Sequence, residues 1–187
     1  MTAKLTFELT ESFEEALSFD EATTGGRYLR VEVSPLIDGC PLLASGGLVF
    51  DALSVLVSGA TSAELDLYTC SCGVAGCAGI FEDCQCLVTE DSVNWRFPEE
   101  PFAKWFAPGM PLEIHFSLPG YVAALARLEG DLEARRAACG APLLLAPCEL
   151  VDERDLTEAA VPFHDFLQAK QAQHAEWLSA LAEADET

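Results

Sequence analysis

Apolar and polar residues alternate with a period of two in Lys4-Leu-Thr-Phe-Glu-Leu-Thr10 and again in Tyr28-Leu-Arg-Val-Glu-Val33. That is the rhythm of a strand with one buried face, so both segments are expected to be strands. The acidic stretch from Ser12 to Ala22, followed by Thr24-Gly25-Gly26, suits a loop or short helix. Leu48 to Val57 is a continuous apolar run around Asp51, bounded by Gly46-Gly47 and Ser58-Gly59, and a short helix is expected there. Alternation returns in Glu64-Leu-Asp-Leu-Tyr-Thr69, Cys86-Leu-Val-Thr89, Val93-Asn-Trp-Arg-Phe97 and Leu112-Glu-Ile-His-Phe116. These segments predict a meander of antiparallel strands. Pro98, Pro101, Pro108 and Pro111 punctuate an aromatic group of Phe97, Phe102, Trp105 and Phe106, a density that more often closes a core than forms a binding patch.

Past Pro119-Gly120 the period changes. Tyr121, Leu125, Leu128 and Leu132 recur at helical spacing, which places them on one stripe of a helix ending near Gly140. Ala141 to Leu150, with two prolines, reads as a connector. A second helix is expected from Asp155 to about Ala184, with Asp155 and Glu158 at capping-box spacing and Pro162 in its first turns. Its apolar stripe would be Phe163, Phe166, Leu167, Trp177, Leu178 and Leu181. No internal repeat interrupts this order. The expectation is a single α+β domain over residues 1–187: a mostly antiparallel sheet in a strand-rich part (1–117), covered by two helices in the C-terminal part (118–187).

Composition narrows function. With 187 residues, half of them apolar, the chain can bury a core without disulfides or metal. Its N-terminus lacks the charged, apolar and small-residue regions of a secretion signal, and no apolar run reaches the roughly 18 residues that span a bilayer. Both point to the cytoplasm and away from membranes. Ten Lys and Arg against 31 Asp and Glu leave a net charge of -21. Such a surface repels phosphate backbones, so nucleic acid is not the expected ligand, whereas a basic protein partner would be steered toward it.

The residues with the most specific chemistry are cysteines: Cys70-Ser-Cys72-Gly-Val-Ala-Gly-Cys77, then Cys84-Gln-Cys86. In a reducing compartment clustered thiols bind metal or pack more often than they pair, so disulfides are set aside. Cys-x-Cys on a strand puts two thiols on one face, and a second such pair on a neighbouring antiparallel strand would set four sulfurs opposite one another. Cys70, Cys72, Cys84 and Cys86 are therefore the candidate ligands of a zinc ion, with Cys77 as a substitute ligand. Charge weighs on the other side. Val31 to Trp95 contains no Lys or Arg but nine acids, and four thiolates around Zn²⁺ already carry about -2. The competing reading makes these thiols small buried hydrophobes shaping a glycine-rich loop. With no cation nearby, a catalytic thiolate is disfavoured. No Gly-x-Ser-x-Gly elbow or phosphate-cradling glycine loop is present either.

Cys-x-Cys followed by Cys-x-Cys resembles the SWIM zinc knuckle, with Cys86 standing where that family has His. Cys70 to Ile80, followed by a strand with Trp95, resembles a segment of small uncharacterised bacterial proteins. The resemblance covers about thirty residues and implies no particular activity. The leading expectation is a non-enzymatic, acidic, protein-binding domain with a Cys-rich structural loop, of the size and charge of bacterial immunity proteins. The alternative is a zinc-binding or thiol redox-responsive module.

Overall fold

A computed structural model describes residues 2–15, 26–44, 46–147 and 153–185. In chain order the elements are β1 (Leu5–Glu15), β2 (Arg27–Ile37), β3 (Cys40–Pro41), β4 (Val49–Phe50), α1 (Ala52–Ser58), β5 (Ala63–Leu65) and β6 (Tyr68–Thr69). A 3₁₀ turn (Ala75–Ala78) precedes β7 (Cys84–Val88), β8 (Ser92–Arg96), α2 (Glu99–Trp105), β9 (Glu113–Ser117), α3 (Leu118–Cys139), β10 (Leu143–Leu145), α4 (Glu153–Ala159) and α5 (Phe163–Asp185). The fold is α+β, with antiparallel sheets and its long helices in the C-terminal half. Among the described residues no helix is long and apolar enough to cross a membrane.

Among the described residues three sheets, not one, carry the strands. β1 and β2 pair antiparallel over eleven residues, from Leu5 opposite Ile37 to Glu15 opposite Arg27, so each runs longer than its alternating segment. Pro35 lies inside β2, yet β10 pairs only with Leu29 to Val31 and β3 only with Leu36 and Ile37. The missing N–H of Pro35 therefore falls in the gap between two short neighbours. The β10 strand comes from the expected connector and runs parallel to β2. Its three consecutive leucines have no alternation to reveal them. The second sheet, ordered β5-β7-β8-β9, is the expected antiparallel meander. A two-stranded ribbon of β4 and β6 is the third.

Within the run from Leu48 to Val57, Val49 and Phe50 form β4 and the helix starts at Ala52, capped by Asp51, whose carboxylate accepts from Ser54 N at 3.0 Å. The lone acid in that apolar run is thus a helix start. The stripe Tyr121, Leu125, Leu128 and Leu132 is buried on α3, and Gly140 closes that helix at φ 64°. The second helix is broken in two. Pro162 cannot donate and would crowd a preceding turn, so α4 stops at Ala159 and α5 restarts at Phe163, the Pro162 carbonyl accepting from Phe166 N. Phe163 and Leu167 are buried, but Trp177 is 57% exposed and stacks on His174, so among the described residues the stripe is fully buried in the first turns of α5 and not at Trp177. The Leu181 side chain and residues 16–25 lie outside the described set.

Trp95, fully buried on β8, is the centre of the core. Its ring meets Phe116 at 5.1 Å, Tyr121 at 6.0 Å and Phe50 at 6.1 Å, tying the meander to α3 and to β4. Phe97, Phe102 and Phe106 pack with centroids 4.9–5.5 Å apart, so this aromatic group is core.

Candidate metal centre

β6 anchors the cysteine loop. Its Tyr68 and Thr69 are buried and pair with Phe50 and Val49. The chain then leaves the ribbon in a turn closed by Gly73 N donating to Cys70 O at 3.0 Å, with Gly73 at φ 77°, a conformation a side chain disfavours. Buried Ala75 and Ile80 pin the next segment down, Ile80 N donating to Ala75 O at 3.1 Å. Between these two anchors the 3₁₀ turn holds Cys77 outward. Folding back on itself, the loop gathers the sulfurs of Cys70, Cys72 and Cys77 within 4.8 Å of one another. Ligands of a tetrahedral zinc with bonds of about 2.3 Å stand roughly 3.8 Å apart, a spacing that three reduced thiols on this loop would reach by side-chain rotation.

Cys84 and Cys86 do not join this group. In the β5–β7 register Leu65 lies opposite Cys84 and Ala63 opposite Cys86, so the strand partnering the second Cys-x-Cys ends before the first one begins. The strand expected over Glu64–Thr69 is split into β5 and β6, which belong to different sheets. Both thiols point into the core. Burial, with Asp66 and Asp83 nearby, pushes the Cys84 thiol up to about 12, against a lowering by its backbone hydrogen bond with Leu67. Burial also raises Cys86. The Tyr121 hydroxyl and Trp95 indole N–H reach Cys86 closely enough to oppose that rise, yet neither makes a well-formed hydrogen bond. Metal ligation needs thiolates, which burial disfavours at both positions.

Cys70 and Cys72 are joined as a disulfide, where the sequence argued for free thiols. This bridge spans a single intervening residue, so it restrains little of the unfolded chain and is no structural staple. Cys77 is free and exposed beside it. The loop surface also carries Val74, half exposed, and Phe81, 86% exposed, whose ring edge lies 3.9 Å from where a Cβ on Gly76 would stand.

A pair the sequence did not single out lies at the base of the loop. Asp66 and Asp83 come together from opposite sides of the β5–β7 connection. Partial burial first, then the neighbouring Asp83 and Asp51 charges, hold the Asp66 carboxyl above the usual carboxylate range. Among the described residues no ion pair reaches Asp66, Glu82 or Asp83. No histidine joins the thiol group: His115 lies beside Glu113 on β9, His164 pairs with Glu129 and His174 stacks on Trp177.

One flank of the thiols opens on a cleft of about 300 Å³ lined by Cys70, Cys77, Ala78, the Gly46–Leu48 segment and Trp105. Its far wall is fixed by backbone bonds from Ala44 N to Trp105 O and from Ala107 N to Leu42 O. No protein-family model, no curated protein and no solved structure matches the chain. The arrangement of the thiols is therefore what the functional reading rests on.

Proposed function

We propose that this chain is a non-enzymatic binding module of the cytoplasm whose working part is the Cys70–Cys77 loop, with a zinc ion held by Cys70, Cys72 and Cys77 in their reduced state. The carrying observation is that Cys77 brings a third sulfur within 4.8 Å of the Cys70–Cys72 pair on a glycine-rich loop. Thiolates select soft and borderline metals, and zinc is the tetrahedral, redox-inert member of that set. The charge objection to a four-thiolate site also relaxes. Three thiolates with Zn²⁺ carry about -1 in place of -2, a smaller load in an acidic neighbourhood. Cytoplasmic reductants would open the Cys70–Cys72 bridge before loading.

Elemental analysis of reduced protein, purified without added zinc, is expected to give close to one zinc per chain. Cys77→Ser should lower it, and Cys84→Ala should leave it unchanged. Zinc well below one per chain with the loop thiols reduced would overturn the reading. An intact Cys70–Cys72 disulfide in protein isolated with thiols trapped would assign the loop to redox response.

A second reading, docking of a basic protein as immunity proteins do, is favoured by Phe81 standing 86% exposed beside Glu82 and Asp83. Large exposed aromatics rimmed by charge mark protein contacts. A complex of this kind should weaken with rising salt and with Phe81→Ala, but not with Phe13→Ala; salt-independent binding would count against it.

A further inference from the structure

We propose that the metal at Cys70, Cys72 and Cys77 has a fourth coordination position open to the neighbouring cleft, and that this position takes a small neutral nitrogen heterocycle of the imidazole class. This rests on the zinc reading above and adds what completes the coordination.

Among the described residues, no fourth thiol, imidazole or carboxylate joins the three sulfurs at the same mutual separations. Cys84 and Cys86, the thiols of β7, are buried in the core, where desolvation disfavours their thiolates. A tetrahedral ion on three protein ligands keeps its last position for a ligand from solution, as in zinc sites that are not purely structural. Two of the three ligands, Cys70 and Cys77, also line the cleft of about 300 Å³, so the cleft adjoins the coordination sphere. A single water occupies about 30 Å³ in the liquid, so there is room for a larger donor.

The walls set the class of that donor. Leu48, Ala78 and Trp105 are apolar, and no Lys, Arg or His lines the cleft to neutralise an anion. The ion with three thiolates is already at about -1, with Glu82 and Asp83 on the same loop. A thiolate, carboxylate or phosphate would add negative charge that nothing here compensates. An imidazole brings none, ligates zinc well, and presents a flat face to the Trp105 indole.

The test uses the full chain reduced with a phosphine, which leaves no competing thiol, and loaded with Co²⁺ in place of zinc. The sulfur-to-cobalt charge-transfer band is expected at the intensity of three thiolates. Adding imidazole should shift the visible ligand-field bands saturably while the charge-transfer band persists, and azide at equal concentration should leave them unmoved. Trp105→Ala should weaken the imidazole response about tenfold without changing Co²⁺ affinity. Circular dichroism and the unaltered charge-transfer band would show that variant to be folded and loaded. A four-thiolate spectrum indifferent to imidazole, loss of the charge-transfer band on adding it, or an equal response in Trp105→Ala would each overturn the open site and leave the metal reading standing. No charge-transfer band, with the thiols verified as reduced, would remove the metal reading itself.

Discussion

Among the described residues, cysteines end in different chemical states because their surroundings differ. Cys77 stands on a solvent-facing turn, whereas Cys84 and Cys86 occupy alternate inward positions of β7. A buried thiolate loses hydration that neither neighbouring Asp66 nor Asp83 can replace, and this drives the Cys84 thiol to about 12. Alkylation of the reduced, folded protein at pH 8 should therefore label Cys40 and Cys77 and spare Cys84 and Cys86 until denaturant is added. Peptide mapping reads this directly, and early labelling of Cys84 would contradict its burial. The linkage has a definite sign. An acid whose folded pKa lies above its unfolded value binds more protons in the folded state, so its contribution is complete below the unfolded pKa and lost as pH rises. For Cys84 the window runs from the ordinary thiol pKa of about 8.5 to about 12, with a slope near 1.4 kcal/mol per pH unit within it. Urea midpoints should fall across that range, and Cys84→Ala should flatten the fall.

At the level of elements, much was visible in periodicity and some was not. The α3 stripe, the meander and the aromatic core follow from patterns contained within single segments. The cysteine pairing did not, because it depended on which strand lies beside β7: Ala63 and Leu65 fill the places that Cys70 and Cys72 would have needed. Two short strands in different sheets look the same in sequence as one long strand. The three-thiol group could have been suspected from Gly73, Gly76 and Gly79, which permit a loop that turns back so that Cys77 meets Cys70 and Cys72. Asp51 illustrates a local signal with a global effect. Its carboxylate holds both the N–H and hydroxyl of Ser54, so Asp51→Ala should cost about 1 kcal/mol, measured as a lowered urea midpoint. Between α3 and α5, His164 Nδ1 lies 2.5 Å from a Glu129 oxygen, and that contact first, then Asp165 and Glu133, holds the imidazole above its usual value. A raised histidine pKa contributes stability that is complete below about 6.5 and is lost as pH climbs through the folded value. The protein should be more resistant to urea at pH 5.5 than this pair allows at pH 8, and Glu129→Gln should remove that difference.

For the whole molecule the governing quantity is where positive charge sits. Arg30, Arg96, Lys104, Arg135, Arg136 and Lys170 pair with Glu14 and Glu32, Glu113, Glu100, Glu11, Glu133 and Glu158. These pairs lie on the first hairpin, the meander edge and the helices. Val31 to Trp95, which contains α1, the β4–β6 ribbon and the thiol loop, has nine acids and no Lys or Arg of its own. The Asp66–Asp83 contact is the local sign of this imbalance, two carboxylates held close enough to raise one of them. Net charge of -21 opposes compaction through self-repulsion whose range salt controls: about 30 Å at 0.01 M and about 3 Å at 1 M. Thermal unfolding should therefore shift upward as sodium chloride rises from about 0.01 M to 0.5 M, the opposite of what a fold held by surface ion pairs would do. Asp66→Asn removes one of the two touching carboxylates, so it should raise the midpoint at low salt and matter less at high salt. A midpoint that falls with salt would mean that the surface pairs outweigh the repulsion, and that the acidity of the thiol loop is balanced by contacts elsewhere in the fold.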